Sequence, residues 1–243
     1  SYDEIGKGYA GNRKSDPHIA AQIFSQLQGA RRILNIGAGT GSYEPPGMDL
    51  VAVEPSAEMI AQRKPDAYPV IQASAEQLPF AAKEFSHALT ILSMHHWTDL
   101  AQAFREINRV TTDQFVAVTW NPAAGPFWLT RDYIPQVMDM DRRIFPAMAD
   151  FEAHFDDVQF TPLLIPEDCQ DGFLAAYWKR PRAYLDAEVR KSISAFPKIG
   201  DYSAAIRQLE DDLNSGAWAK KNASILEDTT LDAGYVIVTG TIR

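Results

Sequence analysis

Leu34-Asn35-Ile36-Gly37-Ala38-Gly39-Thr40-Gly41 is the stretch on which the fold turns. The short apolar run from Arg32 to Ile36 stops at Gly37, and Gly39 and Gly41 follow at alternate positions. Glycine adopts backbone conformations closed to other residues, and it lets a ligand lie against bare main chain. A second apolar run, Leu50-Val51-Ala52-Val53, ends at Glu54-Pro55. A carboxylate at that strand tip can accept two hydrogen bonds from a ribose diol. Together these features predict a nucleoside site at the carboxyl edge of a parallel sheet. A dinucleotide needs a further glycine at the sixth position and a helix whose N-terminus holds the pyrophosphate. Here the sixth position is Ser42, and Pro45-Pro46 leave room for barely one helical turn. A nicotinamide-dependent oxidoreductase is therefore the alternative enzyme class, and a cofactor lacking a pyrophosphate is preferred.

Outward from this motif the chain alternates strands and helices. Asp16-Pro17 reads as an N-cap followed by proline at the first helical position, with Ile19, Ile23 and Leu27 on one face. Ser56 caps a helix to about Lys64, Val70-Ile71 makes a third strand, and His87 to Leu92 a fourth. Thr98 or Asp99 caps the next helix, which carries Leu100, Ala103, Phe104 and Ile107, and Phe115 to Trp120 returns as a fifth strand. Such alternation implies right-handed crossovers and a parallel sheet. Helices are then expected from Trp128 to about Met140 and before Phe155, a strand from Val158 to Leu164, and a last strand from Tyr235 to Ile242. The intervening segment reads as helices over Gly172–Trp178, around Leu185, Val189, Ile193 and Phe196, and around Ile206, Leu209 and Leu213. It is far longer than an ordinary connection, so it is expected to be a functional insertion.

These motifs resemble those of the class I S-adenosylmethionine-dependent methyltransferases, and within them the small-molecule group similar to ubiquinone and sterol-type enzymes. The resemblance covers about residues 30–120. Gly37, Ala38, Gly39 and Gly41, with Asn35 before them, match the first motif, which faces the methionine part of the cofactor. Glu54 matches the ribose-binding acid, with Pro55-Ser56 after it. Ala73-Ser74-Ala75-Glu76-Gln77-Leu78-Pro79-Phe80 resembles the segment beside adenine, implicating Ser74, Ala75 and Glu76. Leu92-Ser93-Met94-His95-His96-Trp97 looks like the fourth-strand exit that lines cofactor and acceptor. Asn35 stands where the family usually has an acid and Ser74 where it often has Asp. Each change removes negative charge near a cationic cofactor, at a cost of about 1 kcal/mol if partly buried. The turn after Gly41 is also shorter than usual.

The resemblance implies an α/β, Rossmann-like sheet of seven strands, mixed but mostly parallel. It further implies an N-terminal cap (1–29), a cofactor-binding core (30–164 and 231–243) and an inserted helical lid (165–230). The expected reaction is in-line methyl transfer from S-adenosyl-L-methionine to a small-molecule acceptor. His95 is the expected base, because imidazole titrates near neutrality and the residue follows the strand whose tip faces the methyl group. Tyr9 and Arg13, with Tyr2, lie where the family folds a cap over the cofactor. His96, Trp97 and Trp120 are the remaining expected acceptor contacts. A cofactor-binding protein without catalysis is the other reading, and binding without turnover against an acceptor panel would distinguish it.

Composition bounds the partners. The chain has 243 residues, 23 basic and 32 acidic, for a net charge of −9, which repels a phosphate backbone and disfavours nucleic acid. No apolar run approaches the roughly 18 residues of a membrane span, and no basic, then apolar, then small-residue leader opens the sequence. The solitary Cys169 forms no internal disulfide, and no Cys/His spacing suits zinc, so no metal is expected and a cytoplasmic setting is. Neither the acceptor nor the oligomeric state is legible.

Overall fold

The computed structural model describes residues 14–243; Tyr2, Tyr9 and Arg13 lie outside the described residues. Seven strands, β1 (Ile33–Ile36), β2 (Leu50–Val53), β3 (Val70–Ile71), β4 (Phe85–Ile91), β5 (Thr111–Trp120), β6 (Asp156–Pro166) and β7 (Thr230–Thr241), form one sheet in the order β3-β2-β1-β4-β5-β7-β6. Pairing is parallel from β3 through β5 and antiparallel for β5 with β7 and β7 with β6. This is the mostly parallel, Rossmann-like mixed sheet expected from the sequence.

The apolar runs of the first strands are continuous because both faces of the sheet are covered. All four residues of β1 are buried. Alternate side chains enter two different cores: Val116, Val118 and Trp120 of β5 pack with Ile19, Ile23 and Leu27, whereas Phe115 and Ala117 pack with Phe104, Ile107 and Phe151. The first layer is α1 (Pro17–Phe24), capped by the Asp16 carboxylate, which accepts from the His18 and Ile19 amides. The Gln22 side chain donates to the Leu164 carbonyl at 2.9 Å and accepts from its amide at 3.0 Å, covering part of the edge strand β6. Pro162 is tolerated there because β6 ends the sheet. On the other face lies α3 (Leu100–Val110), capped by Asp99 and burying Ala103, Phe104, Ile107 and Val110. Between β2 and β3, Ser56 caps α2 (Ala57–Ala61), which ends sooner than the sequence suggested.

The helical part departs further from expectation. The helix expected over 128–140 is two, α4 (Trp128–Asp132) and α5 (Gln136–Ile144), because Pro135 interrupts the run. Then come α6 (Met148–His154), α7 (Ala187–Ser192), α8 (Ser203–Ser215) and α9 (Ala217–Lys221), the last not foreseen. In place of the helix expected over 172–178, coil and a bend at 172–173 lead into consecutive turns over 174–179, and 3-10 turns at Pro181–Leu185 and Phe196–Lys198 replace parts of the second expected helix. Trp128, Leu129, Ile134 and Val137 share one core with Tyr184, Ile193, Phe196, Leu209 and Trp218. The helical annex therefore draws on residues 128–137 as well as on the segment between β6 and β7, a division the sequence did not show.

The basic run 179–182 is pinned rather than free. Lys179 pairs with Glu167, Arg180 donates to the Cys169 and Ala176 carbonyls, and Arg182 donates to Asn214. Among the described residues no helix is long and apolar enough to cross a membrane.

Candidate functional site

Parallel strands deliver their carboxyl ends to one edge, and the exits of β1, β2 and β4 line a cleft of about 610 Å³ there. Asn35, Gly37, Ala38, Gly39, Glu54, Pro55, Ser74, Ala75 and Glu76 all line it, as do Leu92, Ser93, His96 and Trp97. Tyr43, Met59 and Gln72 also line it and were not singled out from the sequence; their signal was only proximity in sequence to the motifs.

Gly37 has φ +68°, and a Cβ there would stand 2.4 Å from Ser93 Oγ, so the position excludes any side chain. Ser93 Oγ is held by Thr90 Oγ1 at 2.6 Å and donates to the Ile36 carbonyl at 3.2 Å, which locks the exits of β1 and β4 together. Glu54 is buried, and its carboxylate accepts from the Gly39 amide at 2.8 Å and the Ser56 amide at 2.9 Å. It thus couples the glycine turn to the cap of α2 while lining the cleft. Glu76 accepts from the Thr98 amide and hydroxyl and the Asp99 amide. Burial works against its charge, but these bonds and one from its own backbone hold its carboxyl below the ordinary range.

Gly41 does not line this cleft. It has φ +91°, and a Cβ would lie 3.2 Å from both Arg63 Nη1 and Glu44 Oε2, so its absence of a side chain serves the buried Arg63–Glu44 pair beneath the turn. Asn35 donates to Glu44 Oε1 at 3.1 Å. The carboxylate that the family usually carries on the first strand is thus absent at Asn35, and Glu44 brings one beside it, paired with Arg63. No helix follows the glycine turn: residues 42–49 are turns and coil.

A second, smaller chamber of about 60 Å³ abuts the first. Leu92, whose φ is +50°, lines both. His95 opens on this chamber rather than on the cleft, with its ring 4.6 Å from Phe145. Burial, reinforced by His96 and Lys198, pushes His95 down to about 2, so the near-neutral titration expected of it is lost. Its Nδ1 is buried with no hydrogen-bond partner among the described residues. His96, nearer the cleft, is also held below the usual imidazole value by burial and Lys198. Facing His95 across the chamber are Asp141 of α5 and Lys198, neither singled out from the sequence. Asp141 is pushed up to about 6 by burial, against the opposing effect of Lys198. No sequence pattern marks Asp141, which reads as one acid among several on an amphipathic helix.

Trp120 lines neither cavity. Its Nε1 donates to the Ala233 carbonyl at 3.1 Å and its ring packs 5.9 Å from Phe145, so it buttresses the chamber wall from behind. Cys169 is buried, and burial pushes its thiol up to about 12, which removes any nucleophilic character.

The chain matches the family model described as Methyltransferase domain over residues 34–114. A crystal structure from Anabaena variabilis, named as a methyltransferase from an antibiotic biosynthesis pathway, is 32% identical, with a TM-score of 0.85 over 95% of this chain and 99% of that one. Malonyl-[acyl-carrier protein] O-methyltransferase of Legionella pneumophila is 30% identical over 112 residues, 40% of this chain and 39% of that protein. The chain spans less than half the length of the curated relatives it matches. Phosphoethanolamine N-methyltransferase 2 of Haemonchus contortus, solved with phosphomonomethylethanolamine and S-adenosylhomocysteine, shares the fold with a TM-score of 0.55 at 15% identity, covering 94% of this chain and 53% of that one. The order of the strands, the glycine turn with its acid on the next strand, and the full-length likeness to the Anabaena protein lead to one assignment: the chain belongs to the class I S-adenosylmethionine-dependent methyltransferases.

Proposed function

We propose that the protein methylates a small-molecule acceptor, holding S-adenosylmethionine in the larger cleft and the acceptor in the chamber beyond Leu92. The cleft suits that cofactor on three counts. Its floor at Gly37 is bare backbone, a buried acid stands at the tip of β2, and residues 42–49 supply no helix for a pyrophosphate. Its volume lies within the range of small-molecule sites, about 300–1,000 Å³. In this reading Glu54 holds the ribose diol, Ser74, Ala75 and Glu76 flank the adenine, and Asn35, Gly37, Ala38 and Gly39 face the methionine part. Ser93 and Leu92 close the floor, while His96 and Trp97 stand at the rim. When bound, the cofactor supplies an activated methyl group on a sulfonium centre.

The residues then have to align the acceptor and exclude water. Leu92 sets the boundary between the cavities, and its position on both is the observation that carries the reading. His95, neutral across the physiological range, faces the acceptor as a hydrogen-bonding wall group in place of the titrating base expected from the sequence. The chamber is smaller than the roughly 150 Å³ that admits a benzene ring. Leu174, Ala195 and Lys198 of the helical segment line it, so the acceptor enters when that segment withdraws. Residues 165–230 thus act as a lid that packs on residues 128–137 of the core (30–164 and 231–243), and α1 belongs to the cap.

Calorimetry against S-adenosylhomocysteine and NAD, followed by a metabolite screen with methyl-labelled S-adenosylmethionine, tests the reading. Binding of the first ligand and label transfer to a small molecule are expected. Binding of NAD alone would assign the cleft to an oxidoreductase.

A further inference from the structure

The second chamber holds an unusual set of groups for its size. The Asp141 carboxylate, the Lys198 ammonium and His95 Nδ1 all belong to its lining; His95 Nδ1 is buried without a hydrogen-bond partner, and no hydrogen bond ties the side chain of the partly buried Asp141 or of the exposed Lys198 to another described residue. Asp141 follows buried Val137 by one helical turn of α5, so it occupies the inward face of that helix. Lys198, itself exposed, lines it from the 3-10 turn whose Phe196 is buried, and the remaining walls include Phe145, Phe173 and Tyr235. A carboxylate that lines an apolar chamber on the inward face of a helix loses part of its hydration, and a ligand that donates to it restores the missing hydrogen bond.

We propose that Asp141 is the proton acceptor for the methyl acceptor, and that the acceptor is a compact aromatic molecule carrying a hydroxyl group. This rests on the assignment of the chamber made above. As methyl transfer proceeds, the acceptor O–H bond breaks and its proton passes to the Asp141 carboxylate. The oxygen electron pair forms the bond to the methyl carbon, and the carbon–sulfur bond breaks with its pair remaining on sulfur. The electrostatics select this class. Lys198 and a sulfonium both place positive charge near the acceptor, which favours a group becoming anionic and disfavours an ammonium. The aromatic walls suit a flat ring. His95, kept neutral, orients the hydroxyl rather than taking its proton. A carboxylate whose affinity for protons is raised toward neutrality by burial is matched to that task.

The charged or titratable groups facing Asp141 are Lys198, His95 on the 3-10 turn Met94–His96, and Tyr235 on β7; its own helix adds Asp139, Arg142 and Arg143. The test is a calorimetric titration of phenol into protein saturated with S-adenosylhomocysteine, from about pH 5 to about pH 8, with Asp141→Asn and Lys198→Met in parallel. Wild-type affinity is expected to rise about tenfold as pH passes through about 6. Asp141→Asn should bind S-adenosylhomocysteine normally but phenol weakly and without this inflection, whereas Lys198→Met should keep the inflection at a higher pH. With labelled S-adenosylmethionine and a phenol panel, Asp141→Asn should lose about a hundredfold or more in turnover near neutrality, less as the phenol ionises unaided. An unchanged phenol profile or unchanged turnover in Asp141→Asn overturns the proposal. A wild type that binds S-adenosylhomocysteine but refuses phenol, or methylates amines only, also overturns it and leaves the methyltransferase reading standing. Failure of the wild type to bind S-adenosylhomocysteine would remove that reading itself.

Discussion

Arg63 Nη2 lies 2.8 Å from Glu44 Oε1 beneath the glycine turn, with both side chains almost wholly buried. The same guanidinium donates to the Gly39 carbonyl and to the Tyr68 carbonyl, each at 3.3 Å. The pair therefore ties the glycine turn to Glu44 and to the backbone at Tyr68. Removing one partner of a buried pair strands the other charge, at a cost of about 3–5 kcal/mol. Glu44→Ala should show that loss in urea unfolding, together with weaker binding of S-adenosylhomocysteine, because Gly39 lines the cleft. Glu44→Leu combined with Arg63→Met should recover much of the stability. A double variant as unstable as the single one would show that the pair acts through shape rather than charge.

Replacing Glu54 should test both its proposed ribose contact and its bonds within the fold. Loss of the paired ribose bonds should weaken S-adenosylhomocysteine binding in Glu54→Ala by about 2–4 kcal/mol, the scale of charge-assisted bonds. Its sequence position suggests only a ligand role, but the Gly39 and Ser56 amides also depend on it. The apoprotein should therefore lose about 1–3 kcal/mol as those amides go unpaired. Calorimetry and thermal unfolding separate the two effects. Undiminished cofactor affinity in a folded variant would remove Glu54 from the ribose.

The sheet was legible because its signals are local. Four-residue apolar strands ending in Gly37 or Glu54, and caps such as Asp16 and Asp99, follow from short-range chemistry. The cleft was legible for the same reason, since Gly37, Glu54, Ser74 and Ser93 sit where strands end. The chamber was not, because Asp141 and Lys198 lie 57 residues apart and meet only through tertiary packing. Gly41 and Trp120 carry the right residue type in the right place, yet packing against Arg63 and against Phe145 decides their roles. The helix boundaries within the annex eluded the sequence because Pro135, Pro181 and Pro197 break apolar periodicities that otherwise read as continuous helices.

His95 should make the protein sensitive to acid. Its folded-state value is pushed from 6.5 to about 2 by burial and neighbouring positive charge. Below about pH 6.5 the unfolded chain takes up a proton that the folded one refuses, so stability falls by up to about 1.4 kcal/mol per pH unit from this group alone. Asp141 acts in the opposite sense: raised from 3.8 to about 6, it favours the folded state as pH drops through that window. His95→Gln removes the first effect and leaves the second. The variant should lose less stability than the wild type between about pH 6.5 and about pH 4.5 in urea unfolding. Parallel curves for the two proteins would mean that the imidazole is protonated in the native state.

Tyr43 and Asp171 should couple the larger cleft to the helical segment between β6 and β7. Tyr43 lines the cleft, and its hydroxyl donates to Asp171 Oδ2 at 2.8 Å while accepting from the Asp16 amide at 3.2 Å. Asp16 in turn accepts from the Gln170 amide at 2.8 Å, and Asp171 Oδ1 accepts from Gly172 at 2.7 Å. One phenol thus joins the loop after the glycine turn, the start of α1 and the first residues of the helical segment, all in a buried setting where such bonds reinforce one another. A ligand that orders the Tyr43 loop should therefore protect the backbone of 169–178 at a distance. Hydrogen exchange with and without S-adenosylhomocysteine is expected to show added protection in that stretch and in α1. Tyr43→Phe should lose about 1–3 kcal/mol of stability and most of the ligand-induced protection beyond the cleft, while the cleft itself remains protected. Equal protection in the bound and free wild type would make the helical segment a rigid annex. Retained long-range protection in Tyr43→Phe would place the coupling in the apolar contacts of Cys169 and Phe173 instead.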